Sequence, residues 1–427
     1  MKKKVLVFPC GSEIGLEVHK AVRYSAHFEL VGGSSVDDHG RFVYKNYIDD
    51  IPFADDPAFV EKINAIVNEH DIDYLFPAHD SVVLKLAQER DKLGCDVITS
   101  PVETCEVARS KVKTMELFAG VLPTPKVFAS VDEVKDEDFP VFLKPDVGQG
   151  SKGTQLAKNR EDIEFYLSKD RSLMILELLP GKEYTVDCFT NRHGELVFCE
   201  GRERIRISNG ISVSSAHVSD DRFRAIAEKI SGKLVFRGVW FFQVKERDGG
   251  EFALMEIAPR IAGTMGLVRG KGVNMALLSL FDAADYNVDI LENQYTMIID
   301  RALQNRYKHD ISYSHAYIDL DDLLVYDGKV NLQVMAFVFQ CINKGVKVHL
   351  LTRHKQDLEE TLRTYRLEGI FDEISWVREE KDEKYLYIKE KDAIFIDDSH
   401  AERKKVHDQL GLPVFDGHMI ESLLEDF

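Results

Sequence analysis

The chain has 427 residues, 44% of them hydrophobic and 30% charged, with 12 prolines. That is the balance of a soluble globular protein long enough for two or three domains. Its 73 acidic residues against 55 basic ones give a net charge of −18, which disfavours nucleic acid and anionic membranes as partners, and no apolar run approaches the length that spans a bilayer.

The first element, in MKKKVLVFPCGS, has an apolar stretch too short for a signal sequence and reads as a β-strand. GSEIGLEVHKAVRYS follows as a helix, YLFPAHD as a strand ending in polar residues, SVVLKLAQERDKL as a helix and DVITS as a short strand. This βαβ rhythm predicts a parallel sheet whose functional edge lies at the strand C-termini. Residues 8–15, FPCGSEIG, place glycines at a strand-to-helix turn without a full G-x-G-x-x-G, so a structural turn is slightly favoured over a ligand loop. Cys10, Cys95, Cys105, Cys188, Cys199 and Cys341 form no CxxC pair, which predicts reduced thiols in a cytoplasmic enzyme.

After Leu122-Pro-Thr-Pro the strands lengthen and glycines cluster, the pattern of an α+β region of antiparallel hairpins. In FLKPDVGQGSKGTQL an apolar strand presents Lys144, and a loop with Gly148, Gly150, Ser151, Lys152 and Gly153 follows. Such glycines let backbone N–H groups close around phosphate oxygens, and a lysine adds a point charge; a plain hairpin tip fits the stretch equally well. LMILELLPGKEYTVD carries Glu177 at a strand end, then Leu178, Leu179 and Glu183. A carboxylate there suits ribose hydroxyls, and the backbone beside the leucines suits an adenine edge, although surface glutamates on an amphipathic strand are the simpler reading. The hairpin FFQVKERDGGEFALMEIAPR turns at Asp248-Gly249-Gly250. Gln243 and Glu256 alternate with apolar residues on its two arms and can face one pocket, with Arg260 just beyond. Oxygen ligands and a guanidinium meeting at one point suit magnesium and a triphosphate; a buried salt bridge is the alternative.

The order and spacing of these pieces resemble the ATP-grasp superfamily over roughly residues 1–300, and their course is similar to the carbamoyl-phosphate synthase large chain and the amino-acid ligases. The resemblance implies a Rossmann-like pre-ATP-grasp domain followed by two α+β subdomains that clamp ATP. It assigns Lys111, on the helix of ARSKVKTMELFAG, and Lys144 to the nucleotide phosphates, and the loop with Gly150, Ser151 and Gly153 to the lid above them. Glu177 and Leu179 match the adenine hinge, Glu183 the ribose acid, and Gln243 and Glu256 the metal positions. Arg260 matches the arginine that steadies the acyl phosphate. The last strand departs from the family's E-h-N-P-R: it reads EIAPR, and the methyl of Ala258 cannot coordinate magnesium. Arg202, Arg204 and Arg206 alternate along another strand and can share a face toward phosphates or an acidic substrate, Arg204 being the preferred one; a solvated strand face has equal weight.

From His315 the βαβ rhythm returns. AYIDLDD delivers Asp319 and Asp321 to a strand end, VKVHLLT delivers Thr352, EKYLYI opens on Lys384 with Lys389 and Lys391 behind, and AIFIDD ends in Asp397 and Asp398. Two carboxylates at a buried strand tip repel, and a divalent cation is the commonest compensation. These pieces resemble the haloacid dehalogenase superfamily over residues 316–427. The resemblance implies Asp319 as nucleophile and Asp321 as general acid/base. Thr352 and a lysine, Lys384 preferred, would hold the phosphoryl group, and Asp397 with Asp398 would share magnesium with Asp319 and Asp321. Leu323 stands where that family has Thr, a position that mainly shapes the turn. The chain between Asp319 and Thr352 is too short for a large cap, so the site is expected to be open.

The expected organisation is thus an α/β pre-ATP-grasp domain at 1–112, an ATP-grasp domain at 113–311 and a capless parallel α/β domain at 312–427, with a linker near 303–315. The expected function joins a carboxylate to an amine with ATP, and adds a phosphatase acting on a phosphorylated small molecule. ATP and magnesium, or manganese, are the expected cofactors, and a homo-oligomer is compatible with all of this. The rival readings are a ligase whose last domain only docks or regulates, and a non-catalytic nucleotide sensor suggested by Ala258.

Overall fold

The computed structural model describes residues 2–148, 150, 152–379 and 381–425. The chain forms two compact units, one running to Gln304 and the other starting at Asn305.

The first unit begins with five parallel strands: β1 (Lys3–Phe8), β2 (Phe28–Gly33), β3 (Asn46–Ile48), β4 (Tyr74–Pro77) and β5 (Asp96–Val97). Their spatial order is β3-β2-β1-β4-β5. Val5, Leu6 and Val7 of β1 are all fully buried, as expected of a parallel strand covered on both faces. The FPCGSEIG turn is tight: a Cβ on Gly15 would stand 2.4 Å from the Cys10 carbonyl oxygen. Ser12 caps the following helix, Glu13–Val22, by accepting from the Gly15 N–H.

A four-stranded antiparallel sheet follows, made of β6 (Val127–Phe128), β7 (Val141–Pro145), β8 (Gln155–Ala157) and β9 (Leu173–Glu177), in the order β6-β9-β7-β8. Next come the long strands β10 (Glu183–Thr190), β11 (Leu196–Ser208), β12 (Ile211–Val218), β13 (Gly238–Glu246), β14 (Phe252–Ala258) and β15 (Ile298–Asp300). They form a six-stranded antiparallel sheet in the order β14-β13-β10-β11-β12-β15. One apolar cluster joins Val5, Val7 and Phe76 of the parallel sheet to Phe241, Ala258, Ile261 and Met265. That shared core fixes the ends of β1 and β4 against the β13–β14 hairpin.

The second unit is a parallel sheet of β16 (His315–Ile318), then, after the small hairpin β17 (Val325–Tyr326) and β18 (Lys329–Val330), β19 (Lys347–Thr352), β20 (Glu373–Trp376), β21 (Ala393–Ile396) and β22 (Val414–Phe415). The order is β20-β19-β16-β21-β22. Helices Leu332–Lys344, Leu358–Thr364 and His400–Leu410 connect the strands. All six cysteines are free thiols. Among the described residues, no helix is long and apolar enough to cross a membrane.

Candidate active sites

In the first unit a cleft of about 500 Å³ opens between the parallel sheet and the two antiparallel sheets. Ser12, Glu13, Asp80, Lys111, Lys144, Gly150, Glu177, Leu179, Glu183, Arg204, Gln243, Glu256 and Arg260 line it. Of the lid residues expected from the sequence, Gly150 reaches this wall, whereas Ser151 lies outside the described residues. Gly153 sits at φ +76°, a left-handed conformation that glycine alone adopts cheaply; it is not part of the lining.

Two lysines meet in this cleft because Asp146 ties their elements together. Lys144 is the fourth residue of β7, and Asp146 follows the strand end. The Asp146 carboxylate accepts from Ser110 Oγ at 2.9 Å and from the Val112 N–H at 2.9 Å, which fixes the start of the helix Lys111–Phe118. Lys111 Nζ donates to the Asp146 carbonyl at 2.9 Å. Lys144 is only 6% exposed. Burial, and then the charge of Lys111, push its ammonium down to about 8, with Glu256 and Glu183 working the other way. Lys111 is likewise lowered, first by burial, against the pull of Glu256. A buried and a half-buried ammonium group that repel each other make a strong anion trap.

Opposite them, Gln243 and Glu256 are direct cross-strand partners on β13 and β14. One carboxylate and one amide oxygen suit a magnesium ion that takes most of its ligands from phosphate oxygens and water. Ala258 is 3% exposed and belongs to the apolar cluster with Ile261 and Met265. The position that carries Asn in the family pattern is therefore given to packing.

Arg260 is held by a residue that was not singled out from the sequence. Its Nε and Nη2 donate to the two oxygens of Asp80 at 2.5 and 2.7 Å. Burial opposes both charges, but the pairing outweighs it, keeping the carboxyl low and the guanidinium high. The only hint in the sequence was the polar end of YLFPAHD. Arg204 donates to Glu183, to Gln243 Oε1 at 3.3 Å and to the Gly210 carbonyl at 2.8 Å. The three arginines do not share one environment. Arg202 is buried against Asp187 at 2.7 Å and Thr264. The β11–β12 pairing is irregular on both sides of Arg206, which instead pairs with Asp300 at 2.9 Å in solvent. The Glu177 carboxylate is engaged by Arg247 at 2.9 Å and the Lys126 N–H at 2.9 Å, so its side chain works as a brace.

In the second unit the polar residues converge at the C-terminal edge of the sheet, where parallel α/β folds bind ligands. Asp319 follows β16, and Asp397 and Asp398 follow β21. Oxygens of these three lie within 4.8 Å of one another. Lys384, 2% exposed, lies 3.0 Å from Asp319 Oδ1 and donates to Asp397 Oδ2 at 2.6 Å. Lys389 is exposed beside Glu373 instead. Burial raises the Asp319 carboxyl to about 7, with Lys384 opposing and Asp397 adding to the rise. Asp319 Oδ1 is buried without a well-directed hydrogen bond. Two buried carboxylates, a third at the rim and a single ammonium leave excess negative charge and an oxygen without a hydrogen bond, a donor set that fits a divalent cation.

Asp321 stands apart from those three. Its carboxylate receives His354 Nδ1 at 2.8 Å, and His354 Nε2 meets Thr361 Oγ1 at 2.8 Å. With Nδ1–H given to the carboxylate, Nε2 accepts the hydroxyl. Asp321, expected at the metal, has its carboxylate in a carboxylate–imidazole pair, and His354 was missed because it lies 33 residues away in sequence. Thr352 is fully buried at the end of β19, its Oγ1 accepting from the His354 N–H at 3.2 Å. Leu323 is buried in the core of this unit, in keeping with a role in shaping the turn.

Comparison with known proteins bears on the first unit. Residues 169–306 match the family model described as ATP-grasp in the biosynthetic pathway with Ter operon. The carbamoyl phosphate synthase large chain of Halomonas eurihalina is 25% identical over 183 residues, 37% of this chain and 16% of that protein. The chain therefore spans about a sixth of that relative. Among solved structures, the biotin carboxylase domain of Hydrogenobacter thermophilus 2-oxoglutarate carboxylase, in complex with MgADP, aligns with a TM-score of 0.59 at 15% identity, over 70% of this chain and 74% of that one. Carboxyaminoimidazole ribonucleotide synthase from Aspergillus clavatus, complexed with ATP, gives 0.58 at 15%, over 70% and 81%. The L-amino acid ligase of Bacillus licheniformis gives 0.53 at 15%, over 66% and 73%. Sequence and fold together support the ATP-grasp superfamily, and the fold is shared with these enzymes.

Proposed function

We propose that the first unit is an ATP-dependent carboxylate–amine ligase. The observation that carries this reading is the lysine pair of half-buried Lys111 and buried Lys144, facing Gln243 and Glu256 across one cleft. A carboxylate oxygen attacks the γ-phosphorus of ATP; ADP leaves and an acyl phosphate forms. The amine nitrogen then attacks the acyl carbon, the C–O bond to phosphate breaks, and inorganic phosphate departs with the amide left behind. Lys111 and Lys144 hold phosphate oxygens, Arg260 neutralises the transferred group in an orientation set by Asp80, and Glu183 with Arg204 borders the nucleotide side. Closing the cleft over the reactants would keep water from the activated acyl group. Magnesium held at Gln243 and Glu256 supplies charge neutralisation of the triphosphate.

The second unit, on this proposal, is a phosphatase of the haloacid dehalogenase type. Asp319 attacks phosphorus and the alcohol leaves with a proton from Asp321; water, deprotonated by Asp321, then releases phosphate from the aspartyl group. Lys384 fixes Asp319 and balances its charge, while Thr352 offers its hydroxyl to a phosphoryl oxygen. Magnesium at Asp319, Asp397 and Asp398 supplies electrostatic stabilisation of the transferred group.

The test treats the two activities separately in the full chain. A panel of carboxylates is incubated with ATP and hydroxylamine, which traps acyl phosphates as hydroxamates. Arg260→Ala is expected to lower the yield by roughly 10²–10³-fold; ATP binding without any hydroxamate would instead favour the sensor. Phosphomonoesters with magnesium are then compared between wild type and Asp319→Asn. Equal release from both proteins would sink the phosphatase, leaving a docking domain.

A further inference from the structure

The second unit has polar chemistry at both ends of its sheet, and the phosphatase reading uses only one. At the opposite edge His315 opens β16, His349 lies on β19, and Glu390 precedes β21. One ligand atom from each lies within 4.8 Å of the other two. His315 Nδ1 and His349 Nε2 are 2.8 Å apart. Strand register explains the meeting: Tyr317 is paired with His349, and His315 stands two residues before Tyr317 on the same strand face. Two imidazole nitrogens so close must share either a proton or a cation.

Several observations favour the cation. His349 is 6% exposed, and its Nδ1 makes no hydrogen bond of good geometry. The nearest acceptor is Glu373 Oε2, at 3.4 Å. A proton on Nδ1, directed at that carboxylate, leaves the Nε2 lone pair facing His315, the outer-sphere arrangement common for metal-bound histidines. The Tyr317 hydroxyl donates to Glu390, and the Tyr317 ring stacks on His349 with centroids 4.4 Å apart. Both orient ligands without occupying a coordination position. In a tetrahedral zinc site, with Zn–N of about 2.0–2.1 Å, two nitrogens stand about 3.3 Å apart. A small opening of this pair reaches that distance.

We propose that His315, His349 and Glu390 form a binding site for a divalent transition metal of the zinc class. Two imidazoles and one carboxylate select zinc, cobalt or nickel over magnesium, which prefers oxygen alone. The site is separate from the Asp319 cluster. The four residue steps from His315 to Asp319 span about 13 Å of extended chain, and the Asp319 cluster contains only oxygen donors.

The test uses the full chain, stripped with a chelator and dialysed against zinc with magnesium in large excess to occupy the oxygen cluster. Wild type and Asp319→Asn are each expected to keep one more tight zinc equivalent than His315→Gln or His349→Gln, and cobalt in its place should give the absorption of a four-coordinate site. His315→Gln and Glu390→Gln change partly exposed side chains and guard against a folding defect at buried His349, and Glu373→Gln is expected to weaken zinc about 10–100-fold. Folded His315→Gln and Glu390→Gln proteins that hold zinc as the wild type does would overturn the site. So would a wild type that binds none, which would leave a proton-sharing histidine pair.

Discussion

Lys144 is the residue whose charge state is most exposed to ligand. Its pKa near 8 reflects burial and Lys111. A triphosphate beside it raises that value, so nucleotide binding takes up protons above pH 8. The sign follows: affinity is steady below about pH 8 and falls as pH rises beyond it. Calorimetry at pH 8.5 in buffers of different ionisation heat should detect the uptake, and Lys144→Met should abolish it. Asp319 gives a second residue-level expectation. Its carboxylate shares one ammonium with Asp397, so Asp319→Asn removes excess like charge. The metal-free variant should melt higher than wild type near neutral pH, while magnesium should stabilise it less. Thermal melts with and without magnesium decide this; a variant melting well below wild type without metal would show that the Lys384–Asp319 contact outweighs the repulsion.

At the level of elements, strands β10 and β11 are locked by the Asp187–Arg202 pair, whose arginine also lines the cleft. Asp187 is fully buried and Arg202 nearly so. Truncating one partner leaves the other charge buried and alone, so Asp187→Ala should cost about 3–5 kcal/mol in denaturant titration. Asp146→Ala is a contrasting case. It removes the bonds that place the Lys111 helix beside β7, and should raise the ATP Kd far more than it lowers stability. The difference between these elements also explains what could be read in advance. Lys144, Gln243, Glu256 and Arg260 sit in short motifs with strand periodicity, so their common pocket was legible. Asp80 was not, because its partner is 180 residues away, nor was His354, which meets Asp321 from 33 residues further along the chain. Period two put the three arginines on one face with Arg204 preferred, but the β11–β12 pairing is irregular at Arg206, which pairs with Asp300. Strands β2 and β3 were also overlooked: FELVGG ends in two glycines and NYI has only three residues, so neither stands out before β1 is there to pair with.

For the whole molecule, two compact units predict two independent losses of function. Arg260→Ala should leave phosphomonoester hydrolysis intact, and Asp319→Asn should leave hydroxamate formation intact, when both assays are run on each full-length variant. Loss of both activities from either change would mean that the units depend on each other for catalysis. The parallel sheet of the second unit, and the succession of parallel and antiparallel sheets in the first, were legible from the alternation of apolar runs. The register that brings His315 to His349 was not, because it depends on which strands become neighbours.

The Asp80–Arg260 pair carries a consequence for how the protein is made. At a synthesis rate of roughly 5–20 residues per second, the 180 residues between the partners take about 9–36 s to emerge. During that interval the parallel strands β1 to β5 are already available, whereas β13 and β14 do not yet exist. A nascent chain therefore has one wall of the cleft, with Ser12, Glu13 and Asp80, long before it has the opposite one. Adenine nucleotide gains its full hold only once translation has passed Arg260, so the ligand acts as a late clamp on biosynthesis and contributes nothing to its first half.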